Sequence, residues 1–133
     1  MNILHEAHSI EPENPWLFFD LSEVYSRTNH LETAIALLDE AIKLDSTIAA
    51  FYNNRGLLHY KLKENDQAIA DYMKAVQLAP AQPSLYANLA LVYYHENRFE
   101  LACEALENAE KLGFNVKTNK YLRIFKKRFC NSK

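Results

Sequence analysis

The chain has 133 residues, a formal net charge of −2, and 49% apolar with 12% aromatic content, enough for one domain to bury a continuous core. Two glycines and four prolines leave too little for nucleotide-cradling loops or a turn-rich β fold, while the Ala, Leu, Glu, Lys and Gln content favours helix. No apolar run is long enough to span a bilayer and the start shows no basic segment followed by an apolar one, so nothing addresses a membrane.

The small net charge hides a division. Residues 117 to 133 hold seven Lys or Arg and no Asp or Glu, which leaves 8 basic and 17 acidic residues in the first 116, a balance of −9. Cys103 and Cys130 are too few for a disulfide framework and too far apart for a redox or zinc pair. They are expected to be separate thiols in a reducing cytoplasm, with Cys103 acting as a small hydrophobe in the core beside the register-equivalent Ile35 and Ile69.

One interval organises the whole chain. Ala34, Ala68 and Ala102 stand 34 residues apart, and Ala41, Ala75 and Ala109, Leu44, Leu78 and Leu112, and Tyr25, His59 and Tyr93 repeat that step without an insertion. A period of this size points to stacked helix pairs, because one pair cannot bury its apolar face alone and must lean on its neighbours.

In chain order, residues 1 to 14 come first. Leu4, Ala7, Ile10 and Pro12 lie 34 residues before Leu38, Ala41, Leu44 and Ser46, so Met1 to Ile10 reads as the second helix of a pair whose first helix is missing. Three full units follow at 15–48, 49–82 and 83–116. In the middle unit the first helix is expected from about Ala50 to Leu62 and the second from about Asp66 to Leu78, ended by Pro80. The small residues Ser22, Gly56 and Ala90 share one place in the first helices, where a bulky side chain would hold the pair apart, and Ala34, Ala68 and Ala102 face them. Residues 117–133 form a basic capping helix and tail, with Tyr121, Leu122, Ile124, Phe125 and Phe129 on one stripe.

The unit pattern of an aromatic, a Leu and small residue, a Tyr, an Ala and a closing Pro resembles the tetratricopeptide repeat. It reads Tyr52, Gly56, His59, Ala68, Tyr72, Ala75 and Pro80 in the second unit. In the third it reads Tyr86, Leu89, Ala90, Tyr93, Ala102, Leu106 and Ala109, and in the first Phe18, Leu21, Ser22, Tyr25, Ala34, Leu38 and Ala41. The resemblance implies an all-α, right-handed α-solenoid of antiparallel helix pairs, with a leading half-repeat and a C-terminal cap. Three departures carry expectations. Asn29, Lys63 and Asn97 stand where the family often has a turn glycine, and Lys63 tolerates positive φ least, so strain or a changed turn is expected there. Arg55 replaces the usual apolar residue and must reach solvent or an acidic partner. The closing proline survives only as Pro80, with Ser46 and Phe114 at the other two places.

Residues that carry chemistry are scarce. A phosphate loop, a His-Glu-x-x-His, a nucleophile elbow and a cysteine pair are all missing from the sequence, so no enzyme activity and no cofactor are expected. His5 and His8 share a helix face, but zinc needs three or four ligands and no third is visible, so they read as surface histidines. His59, in a column otherwise filled by tyrosines, reads as a hydrogen-bonded packing residue.

The family resemblance implies that the first helix of each pair lines a concave groove. That places there Trp16, Phe19, Glu23, Ser26 and Arg27, then Asn53, Asn54, Leu57, Tyr60 and Lys61, then Ala87, Asn88, Leu91, Tyr94 and His95. Phe19, Glu23, Asn53, Asn54, Leu57, Tyr60, Asn88, Leu91 and Tyr94 are taken as the partner-binding set. Amides can donate to and accept from an extended peptide backbone, while Leu and Tyr offer pockets for its side chains. The same aromatics would serve equally to pack helix against helix. One subclass of the family grips a chaperone's C-terminal carboxylate with two Lys, an Arg and two Asn. Here Phe19, Glu23, Asn54, Ser84 and Asn88 stand at those places, so that ligand is not expected.

The expected function is therefore a non-catalytic scaffold that binds a protein or peptide segment in its groove. Two alternatives remain. Arrays could self-assemble through their ends, making a homo-oligomer across the N-terminal edge if the chain is not an excerpt of a longer array. The basic tail could serve an RNA-associated adaptor, although a body at −9 repels phosphates.

Overall fold

The computed structural model describes residues 3–10 and 13–130, without the side chains of residues 8–10. The helices are α1 (Ile3–Ile10), α2 (Pro15–Arg27), α3 (Leu31–Leu44), α4 (Ala49–Lys61), α5 (Asn65–Leu78), α6 (Pro83–His95), α7 (Phe99–Lys111) and α8 (Lys120–Phe125). A 3₁₀ turn at Val116–Thr118 precedes α8, and a π turn at Lys126–Cys130 follows it. No strand occurs among the described residues. The fold is the expected α-solenoid: α2 packs on α3, α4 on α5 and α6 on α7, and each pair leans on the next through α3 with α4 and α5 with α6.

The repeating columns show why the helices sit at this spacing. Ala34, Ala41, Ala68, Ala75, Ala102 and Ala109 are all fully buried, as is Ala90, and Ser22 is only 2% exposed. A Cβ built on Gly56 would lie 3.1 Å from Tyr72 Cε1 and 3.2 Å from Asp71 Cβ, so α4 and α5 approach as closely there as a side chain allows. The nearest atoms thus belong to Tyr72 and Asp71, one turn beyond the expected contact at Ala68. The Ser22 hydroxyl avoids an unsatisfied burial by donating to Phe19 O at 2.6 Å.

Two small devices recur with the period. Each turn inside a pair puts one residue in the left-handed region, Asn29 at φ 63°, Lys63 at 62° and Asn97 at 58°. The residue after it donates back five positions, His30 N to Tyr25 O, Glu64 N to His59 O and Arg98 N to Tyr93 O, which closes the helix end in a Schellman arrangement. The turn at Lys63 is therefore unchanged, and any cost takes the form of backbone strain. Between pairs, Tyr52 OH donates to Ser46 O and Tyr86 OH to Pro80 O, the same bond one period later.

Arg55 finds its acidic partners. Its Nε and Nη2 donate to the two oxygens of Asp71 at 2.9 and 2.8 Å, and Nη1 donates to Asp39 at 2.8 Å, so one guanidinium joins α4 to both α5 and α3. The hydrogen bond to Asp71 raises the Arg55 pKa further above its ordinary value. His59 is a hydrogen-bonded packing residue, with Nδ1 at 3.0 Å from Glu64 Oε1.

The cysteines overturn an expectation. Cys103 and Cys130 form a disulfide with Cα atoms 5.5 Å apart, although 27 residues separate them. The π turn carries the end of the cap back over α7, where Phe129 stacks on Phe99 at 4.5 Å and Lys126 pairs with Glu110 at 2.7 Å. Leu122 and Phe125 bury the inner side of the cap. Cys103 is therefore a cross-link and not an isolated small hydrophobe. Of the leading segment, Ala7 is buried with Ile3 and Leu4 beside it, whereas Met1, Pro12 and the side chains of His8 and Ile10 lie outside the described residues.

Two outcomes test this account. Lys63→Asn keeps the turn and removes part of the left-handed cost of roughly 1–2 kcal/mol, so it should raise the melting temperature by about 2–4 °C; an unchanged or lower value would show no strain. Asp71→Ala should cost roughly 3 kcal/mol in chemical denaturation, because it leaves a half-buried guanidinium with only the exposed Asp39 as a partner. Combining it with Arg55→Leu and Asp39→Met, the residues found one period later, should restore most of that loss.

Candidate partner-binding groove

The first helices α2, α4 and α6 form one face of the array. At its start Trp16, Phe19 and Phe51 make an aromatic ledge, with ring centroids 4.9 to 5.5 Å apart. Phe51 is fully buried and anchors the ledge, while Trp16 is 45% exposed. Asn14 holds α2 in place by accepting from Trp16 N at 3.0 Å, with Pro15 preset for the first helical turn.

Next to the ledge, between α2 and α4, a cleft of about 260 Å³ opens. Its floor is Leu38, Leu58 and Ser22, its walls are Ser26, Asn54 and Leu57, and Glu23 and Arg27 stand at its mouth. Leu57 is 39% exposed. Glu23 and Arg27 form an exposed pair at 3.7 Å, too solvated to hold the mouth shut. An apolar floor beneath an amide and hydroxyl rim suits an aliphatic side chain entering from a chain whose backbone bonds to Asn54.

The joint between α4 and α6 is closed on this face. Asn88 Nδ2 donates to Asn53 Oδ1 at 2.9 Å, and the Tyr60 hydroxyl lies 2.5 Å from His95 Nδ1. The same Nδ1 lies 2.9 Å from Leu91 O, and burial raises the Tyr60 phenol above its ordinary pKa.

The nine residues expected to form one surface thus fall into three groups. Phe19, Glu23, Asn54 and Leu57 gather at the open cleft and its ledge. Asn53, Tyr60 and Asn88 spend their polar groups across the second joint. Leu91 and Tyr94 are half-buried against the core, with Tyr94 5.2 Å from Phe125 in the cap. Leu38, Leu58 and Ser22 were missed as cleft residues because an apolar or small side chain in a repeat column signals packing first. Among the described residues no cluster of His, Cys, Asp or Glu could hold a metal, and no helix is long and apolar enough to cross a membrane.

Three family models described as tetratricopeptide or TPR repeats match residues 25–63, 49–81 and 83–112. The chain is 39% identical over 74 residues, 56% of its length, to the small glutamine-rich tetratricopeptide repeat-containing protein 2 of Saccharomyces cerevisiae. It is 28% identical over 105 residues, 79% of its length, to human tetratricopeptide repeat protein 6. A match of 40% over 76 residues, 57% of the chain, links it to the mitochondrial import receptor subunit TOM70 of Saccharomyces cerevisiae. It spans only 21%, 20% and 12% of these three relatives. Among solved structures, MamA superposes with a TM-score of 0.82 at 22% identity, covering 93% of this chain and 73% of that one. YrrB, described as a TPR protein with an unusual peptide-binding site, superposes at 0.77 and 22% identity over 93% of this chain and 62% of its own. With the repeat columns buried, the turns recurring and the family models matching in succession, the chain belongs to the tetratricopeptide repeat family.

Proposed function

We propose that this chain is a non-catalytic interaction module that grips an extended protein segment on the face of α2, α4 and α6, chiefly at the cleft between α2 and α4. The observation that carries this reading is the contrast between the two joints, one open over an apolar floor with Asn54 free to turn to a ligand backbone, the other closed by its own side chains. The aromatic ledge of Trp16 and Phe19 extends the surface for a second side chain. Relatives such as the mitochondrial import receptor subunit and a solved neighbour with a peptide-binding site support a protein ligand. None of Phe19, Glu23, Asn54, Ser84 and Asn88, which stand at the places of a carboxylate clamp, is a cation, which favours an internal segment over a free C-terminus.

Self-association through the ends is the second reading, favoured by the outer side of α8, where Tyr121 is 64% and Ile124 49% exposed. Mass that rises with concentration would support it, while RNA binding through the same basic helix would fall steeply with salt. The disulfide favours a setting more oxidising than the cytoplasm that cysteine count alone suggested.

The groove reading is tested by selecting displayed peptides on the intact chain and measuring their affinity for Leu57→Glu and Asn54→Ala. Each variant should lose about tenfold or more, with melting shifted by little because both side chains lie at the surface. Peptides that bind both variants at full affinity would rule the cleft out. Leu91→Glu is the structural control, expected to destabilise because Leu91 packs on the core.

A further inference from the structure

The opposite face, made by α3, α5 and α7, shows the reverse pattern of closure. At the first joint Arg55 fills the space between α3 and α5 by bridging Asp39 and Asp71. One period later the same positions are Leu89, Met73 and Ala105, and Gln67 gives way to Leu101. Every group that fastened the first joint on this face is replaced by an apolar one, and a cleft of about 290 Å³ is left between α5 and α7. Val76 and Leu89 lie in its floor, and its lips Met73 and Leu101 are 55% and 42% exposed.

Single exposed apolar residues need no explanation, but two that converge over an apolar floor make a patch that a partner can cover. The volume lies just under the range of small-molecule sites, so it suits an anchoring side chain better than a whole ligand. The charge beside it is negative. Glu100 and Glu104 stand on the exposed side of α7 and meet no cation within 4 Å among the described residues, while Glu107 has Lys111 at 3.3 Å. Two neighbouring second helices with a furrow between them offer the shape that receives an amphipathic helix.

We propose that the furrow between α5 and α7 is a second docking site, taking an amphipathic helix that inserts an aliphatic side chain between Met73 and Leu101 and sets Lys or Arg against Glu100 and Glu104. The site does not rest on the groove reading, since it uses the other face and the other joint. Together the two clefts would let one array hold two partners at once.

The test uses the full chain and two fluorescent synthetic helices, one with Leu at every third or fourth position and Lys elsewhere, the other identical but with Glu for Lys. Anisotropy titration should show binding of the Lys helix, weakened by salt, and at least about tenfold weaker binding of the Glu helix. Leu101→Gln and Met73→Gln should each weaken the Lys helix by a similar factor. The triple variant Met73→Asp, Leu89→Arg, Ala105→Asp, which copies the first joint, should fill the furrow and remove binding; should it fail to fold, Leu101→Gln decides. No binding, equal binding of both helices, or indifference to Leu101→Gln overturns the proposal. Loss of the Lys helix on Leu57→Glu would place it in the groove, overturning this proposal while leaving the groove reading intact.

Discussion

Close approach of the two helices in each pair, possible only where Ser22, Gly56 and Ala90 leave room for the facing helix, sets the spacing to which all else is referred. Larger side chains at these places would push the pair apart and lift the buried alanine columns off their neighbours. Once the pairs sit at this distance, every second helix presents a flank to the next first helix, and the core becomes continuous along the array. The tyrosine hydroxyls that reach Ser46 and Pro80 then fix how far each pair is rotated on the last.

Within that common frame the joints are fastened by different physics. The first uses a guanidinium held by two carboxylates, an arrangement whose strength depends on complete pairing, since charges removed from water must find partners. The second relies on an amide pair and a phenol–imidazole contact on one face and on aliphatic burial on the other. Ion networks of this kind are often matched in stability by well-packed apolar side chains. What differs is where space remains, and space is what a partner can use.

Much of this was legible in the sequence. The interval of 34 residues located the helix pairs to within a residue or two, because buried alanines recur only where helices must nearly touch. The demand that Arg55 reach solvent or an acidic partner followed from the apolar column it interrupts. The side-chain ties between first helices were hidden, and the reason is geometric: Asn53 meets Asn88 and Tyr60 meets His95, each 35 positions on, one beyond the period. Side chains lean along their helix, so contacts across a joint need not follow the columns. The disulfide was hidden for another reason, since it depends on a π turn that no periodicity announces.

Fastening successive joints on opposite faces has a mechanical consequence. A stack pinned along one edge throughout would open and close like a fan, tightening or relaxing a single curve. Here the first joint is tied at the outer edge and the second at the inner edge, so small rotations about the two ties bend the array in opposite senses. Opening the gap between α2 and α4 together with that between α5 and α7 therefore bends the array into a shallow S. A wedge driven into one gap turns the far end of the chain, whereas a wedge in each displaces it sideways with little net turn.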